Sequence, residues 1–236
     1  AQSHLGDKDN VMMGFDLDIH PGRNRRYYLS YVIDDLKKLA IFSDDFANKF
    51  SLQAGLFWVD PLGLRDADLR LEYVRIEPWI YTHKFPINTF RHFDSPLGHE
   101  LAPNSDRWTL ELNKRLRDNL SLGLRAERRR HGANEVLADG QIRNVGGDLH
   151  NGWRPGDERE SKHFLDGVLE RRTQLGLDVQ WRLLPHLLIE WGYAQEWGDH
   201  VPLPPNWGDA VPLERRTGHG DGIQRQLRFD LRYHYF

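Results

Sequence analysis

Cysteine is absent from all 236 residues, and with it go disulfides, zinc–thiolate sites and thiol nucleophiles. No run of eighteen or more uncharged apolar residues occurs, which excludes helical membrane spans. A surplus of one charge sign is also missing. The chain has 32 Lys and Arg against 35 Asp and Glu, a balance that does not point to nucleic acid. The 12 His are not grouped at metal-ligand spacing, so no metal or cofactor is expected. A mean hydropathy of −0.68 with 28% charged residues would suit a soluble chain. It equally suits a β-barrel wall, which needs lipid-compatible side chains on one face only.

In place of long apolar runs the chain has alternation. From Gln224 to Phe236, Leu227, Phe229, Leu231, Tyr233 and Tyr235 share one parity, and Gln226, Arg228, Asp230, Arg232 and His234 share the other. A period of two is that of a strand, and the polar row is too charged to lie between two core layers. It fits a strand with lipid on one side and water on the other. The final aromatic, Phe236, falls on the polar parity, an imperfect form of a terminal barrel signal.

Eight further segments alternate in the same way. Working backward, their apolar rows are Leu187–Tyr193, Leu175–Trp181, Leu120–Ala126, Trp108–Leu112, Leu69–Tyr73, Phe50–Trp58, Tyr27–Ile33 and Met13–Ile19. The row from Leu69 changes phase at Val74, which predicts a bulge that keeps Arg70, Glu72, Arg75 and Glu77 on the wet side. Connections alternate between short turns at 20–24, 60–67, 115–118 and 182–186 and long polar loops at 35–48, 84–105, 131–167 and 198–223. Outer-membrane barrels have short periplasmic turns and long external loops in this order. The expected fold is therefore all-β: an antiparallel transmembrane outer-membrane barrel, one domain over 1–236, with a periplasmic C-terminus. A soluble β-sandwich is the alternative, but Trp58, Trp108, Trp181, Trp191 and Tyr233 near strand ends suit two interfacial girdles better. Nine strands is an odd number, whereas such barrels are usually even; either a tenth strand lacks clear alternation or, the favoured reading, the chain forms the C-terminal part of a larger barrel. Within loop 35–48, Leu36, Leu39 and Phe42 predict a short amphipathic helix.

Between Ala67 and Asp106 lie Leu69-Arg-Leu-Glu-Tyr73, Glu77-Pro-Trp-Ile-Tyr-Thr-His83 and Ser95-Pro-Leu-Gly-His-Glu-Leu-Ala-Pro-Asn-Ser-Asp106. These forty residues resemble the capsule-assembly Wzi family of outer-membrane proteins, with Ala102 where that family's loop carries Gly. The resemblance implies a barrel of about twice this strand count and a non-enzymatic role in holding surface polysaccharide. Its motif positions here are Leu97, Gly98, His99, Leu101, Pro103, Asn104 and Asp106.

Sugars are held by flat apolar rings and planar polar groups, and acidic sugars also by Arg. On that basis Arg128, Arg130, Trp153, Arg154, Trp207, Arg215 and Arg216 are the candidate polysaccharide contacts. The same rim cations could instead meet lipopolysaccharide phosphates or loop carboxylates, and the tryptophans could pack loops over the lumen. Mixed charge signs on the wet face would cross-pair and favour an occluded barrel over a porin or export channel. An outer-membrane hydrolase is a third reading, but Asp199-His200 is the only adjacent pair near the rim. Neighbours on a strand point to opposite faces, which makes it a poor dyad. Expected partners are surface polysaccharide, outer-membrane lipid and lipopolysaccharide; a monomer is favoured.

Overall fold

Every strand named above appears in one sheet. The computed structural model describes residues 11–35, 44–83, 85–93, 95–158, 160–202 and 219–233. Its strands are β1 (Met13–Ile19), β2 (Arg25–Asp35), β3 (Lys49–Val59), β4 (Ala67–Ile76), β5 (Ser105–Arg117), β6 (Leu120–Ala133), β7 (Val168–Leu184), β8 (Leu187–Pro202) and β9 (His219–Tyr233). They pair in sequence order and every pair is antiparallel. No α-helix occurs among the described residues. No ladder joins β1 to β9 among them, so the sheet is open. The predicted helix at 36–42 and the terminal Phe236 lie outside the described residues.

Register sorts side chains across the whole sheet. One cross-strand row reads Trp58, Leu69, Leu112, Leu124, Leu177, Tyr193, Leu227. A row of the other parity reads Asp68, Asn113, Gly123, Asp178, Gly192, Arg228. The apolar face is uncovered over most of its extent: Phe15, Leu110, Leu124, Leu175, Leu227 and Phe229 are all exposed, Leu227 by 71%. Isolated soluble proteins rarely expose apolar surface of that reach and continuity.

Turns and loops alternate short and long as expected, with shifted bounds. β8 and β9 run into the expected 198–223 loop, and the second and third long loops span 77–104 and 134–167. Two small ladders stiffen these loops, Arg91–His92 on Ser95–Pro96 and Glu135–Val136 on Ile142–Arg143.

The bulge expected at Val74 does not form. β4 pairs with β3 and β5 without a register shift, so Val74 and Ile76 share the polar face with Arg70 and Glu72, and Arg75 points to the other face. The cause is tertiary. The loop after β4 folds back over the polar face and encloses Val74 and Ile76 in a core with Ile80, Tyr81, Leu101 and Leu149. Arg75 is held instead by Glu77 and by the ring of Phe164, 3.9 Å away.

Candidate functional site: the capped loop end of the polar face

The cap begins at Glu77-Pro-Trp-Ile-Tyr. Trp79 and Tyr81 have φ of 68° and 66°, a left-handed conformation that bulky residues seldom adopt. Their surroundings hold them there. Trp79 N donates to Gly146 O (3.0 Å), Tyr81 N to Asp34 Oδ2 (2.8 Å) and the Tyr81 hydroxyl to Ser51 Oγ (2.9 Å). Both rings are buried, and burial pushes the Tyr81 phenol above its ordinary pKa. Glu77 carboxylate receives Arg75 and the buried ammonium of Lys162, joining the cap to the 134–167 loop.

The motif residues build the rest of this cap. A Cβ on Gly98 would lie 2.4 Å from the Tyr81 ring, so only glycine lets the loop close there. His99 Nδ1 accepts from Leu101 N (3.0 Å), which requires the neutral imidazole. Burial first, then the Arg107 charge, holds the His99 pKa below its usual value. Leu101 and Pro103 are buried. Asn104 is fully buried and joins three segments. Its side-chain amide donates to Gly132 O (2.8 Å) and Asp166 O (3.0 Å), while its side-chain oxygen accepts from Leu165 N (2.6 Å). Asp106 receives Arg130 through two bonds. Of the seven, Leu97 and Gly98 are exposed.

The 134–167 loop is stapled from within. Asn144 donates to Asn151 O, Gly152 O and Asp157 Oδ2. Trp153 Nε1 donates to Asp157 O (3.2 Å), and Arg154 is bonded to Asp157 and to Ile142 O. Two candidate contacts thus also serve as internal staples. His131 Nδ1 lies 3.2 Å from Glu170 and its Nε2 lies 2.8 Å from Gly147 O, which draws the loop onto β6 and β7.

Below the cap the polar face is a lattice of opposed charges. Glu72, nearly buried, accepts from the Tyr28 hydroxyl (2.6 Å), Gln53 (2.9 Å) and Arg70 (2.8 Å). Arg125 bridges Glu111 and Glu127 at 2.7 Å each. Arg228 reaches Asp178, and Arg232 reaches Glu190. A cleft of about 430 Å³ near the turns is lined by Arg26, Tyr28, Phe57, Arg70, Glu111 and Asn113, among others.

The triple arginine divides between faces. Arg128 and Arg130 share parity with Leu124 and Ala126 and therefore lie on the apolar side, just beyond its last leucines. Arg128 is exposed and makes no hydrogen bond or ion pair among the described residues. Arg129, absent from the candidate set, lies on the polar side between Arg107 of β5 and Arg172 of β7. Counting parity from Leu124 would have found it. Trp207, Arg215 and Arg216 lie outside the described residues.

The opposite-face argument against Asp199-His200 fails. A register shift between Gly198 and Val201, with His200 at φ 52°, brings His200 Nδ1 to 2.7 Å from Asp199 Oδ1. Asp221 joins them, the three ligand atoms lying within 4.8 Å of one another. Arg171 already occupies Asp199 at 2.6 Å and weakens its donor power toward a cation. No family model, curated protein or solved structure matches this chain.

Proposed function

We propose that this sheet is part of the wall of an outer-membrane barrel in a Gram-negative bacterium, and that its capped loop end holds capsular or other surface polysaccharide without catalysis. The cap is the observation that carries the reading. A polar face covered over the loop end of β4 by packed side chains, and cross-paired below, suits attachment better than conduction. On β8 the apolar row from Leu187 to Trp197 extends roughly 33 Å at ~3.3 Å per residue. Tilted by ~40°, it covers about 25 Å, the height of a lipid-facing band. The wall would be bounded by lipid and lipopolysaccharide, with its short turns periplasmic.

Strand direction supports a larger barrel. Nine antiparallel strands in sequence order leave β1 and β9 running the same way. Closing them through antiparallel ladders alone requires an odd number of additional strands. The motif resemblance points the same way, since its residues are those that build the cap.

Two measurements test the reading. The full-length protein in a planar bilayer should show no steady open pore; sustained conductance would support a channel. Deleting the gene should lose surface-retained polysaccharide while secretion continues, and unchanged retention would overturn the attachment role.

A further inference from the structure

Arg107, Arg129 and Arg172 occupy directly opposed positions on β5, β6 and β7, all on the polar face. Opposed side chains on neighbouring strands stand only ~5 Å apart at Cβ, and like charges at that spacing destabilise the pairing. Elsewhere on this face Arg70, Arg125, Arg228 and Arg232 are each paired with carboxylates. Here three cations stand in a row. Arg107 reaches Glu100 through Nη1 (2.5 Å), and Arg172 reaches Glu196 (2.9 Å). Arg129 makes no hydrogen bond or ion pair among the described residues. The nearest acidic neighbours are otherwise engaged, Glu127 with Arg125 and Glu170 with His131. Arg107 Nε is buried without a partner, a second unsatisfied donor on the same row.

Unsatisfied guanidinium donors are costly inside a protein unless a ligand meets them. The planar fork of arginine matches a carboxylate. The row lies directly below the cap, and the Arg172 side chain is 35% exposed, so it remains reachable from the polar face. We propose that Arg107, Arg129 and Arg172 bind a carboxylate of an acidic saccharide, a uronic-acid unit. The proposal rests on the polysaccharide-holding reading, and it assigns the recognition to the inner face, away from Arg128 and Arg130.

The test uses full-length protein in detergent, titrated calorimetrically with tetragalacturonate, maltotetraose and inorganic phosphate. Tetragalacturonate should bind and weaken as salt is raised, and maltotetraose should not. Arg129→Gln should weaken binding at least tenfold, Arg129→Lys by less, and Arg128→Gln by less than twofold. Arg129→Gln should also raise the melting temperature of the unliganded protein, which shows that it folds and that the row repels itself. Failure of the wild type to bind tetragalacturonate would overturn the proposal. So would equal binding by Arg129→Gln, or binding of phosphate in place of the saccharide. If tetragalacturonate binds as expected but gene deletion leaves surface retention unchanged, the attachment reading fails and the site stands.

Discussion

The two ends of the polar face are held together by different physics. At the loop end, shape dominates: Val74, Ile76, Tyr81 and Leu101 pack in a core, and Asn104 fixes three backbone segments at once. Toward the turns there is almost no apolar packing on this face, and order comes from pairs such as Arg125 with Glu111 and Arg228 with Asp178. A buried leucine contributes roughly 2–5 kcal/mol against truncation, while an exposed ion pair contributes roughly 0.2–1 kcal/mol. The cap should therefore be a cooperative unit that single substitutions can break, and the charge lattice should absorb them one at a time.

The largest predicted effect falls on Asn104. Asn104→Ala leaves Leu165 N and two carbonyls without partners and places alanine at φ 60°, so cap stability should drop by about 3 kcal/mol or more. Hydrogen exchange across 77–104 and 134–167 would report it; unchanged protection would mean that the cap does not act as one unit. Next comes Leu227→Arg on the apolar face, expected to cost about 2–4 kcal/mol in lipid. Urea titration in vesicles measures it, and a neutral result would put that face in water. Gly98→Ala should cost about 1–3 kcal/mol through collision with Tyr81, read from the same exchange experiment. Arg125→Gln in the charge lattice should stay below about 1 kcal/mol. A larger loss would erase the contrast between the two ends.

Acidity separates the ends as well. The folded His99 pKa is depressed, so the unfolded chain takes up the proton first as pH falls through about 6.5. Stability is therefore lost below that pH until the folded value is passed, and protonation also removes the acceptor for Leu101 N. Exchange across 95–104, corrected for intrinsic rates, should rise between pH 7.5 and 5. His99→Gln should remove that pH dependence.

The strands, their order and the alternation of short and long connections were legible because each depends on local periodicity. Val74 and Ile76 show where that stops. Their phase change signalled burial beneath the loop that follows the strand, and periodicity alone could not distinguish this from a bulge. Asp199 and His200 failed in the opposite direction, since the irregularity that unites them leaves no pattern in composition. The face of Arg129 was legible, because it shares the parity of Arg125 and Glu127. Residues 97–104 were expected in a loop and lie in one, but nothing in them reveals that Asn104 would reach 165–166.

The unbroken pairing of β4 with both neighbours has a consequence for how this chain can change. A one-residue insertion or deletion within a strand inverts every side chain beyond it, exchanging the lipid-compatible row for the charged one. One residue lost between Ser121 and Glu127 would move Arg129 to the apolar side. Tolerated length changes should therefore fall in the loops or come in even numbers within strands, and a deletion scan would show a sawtooth along β4 to β7.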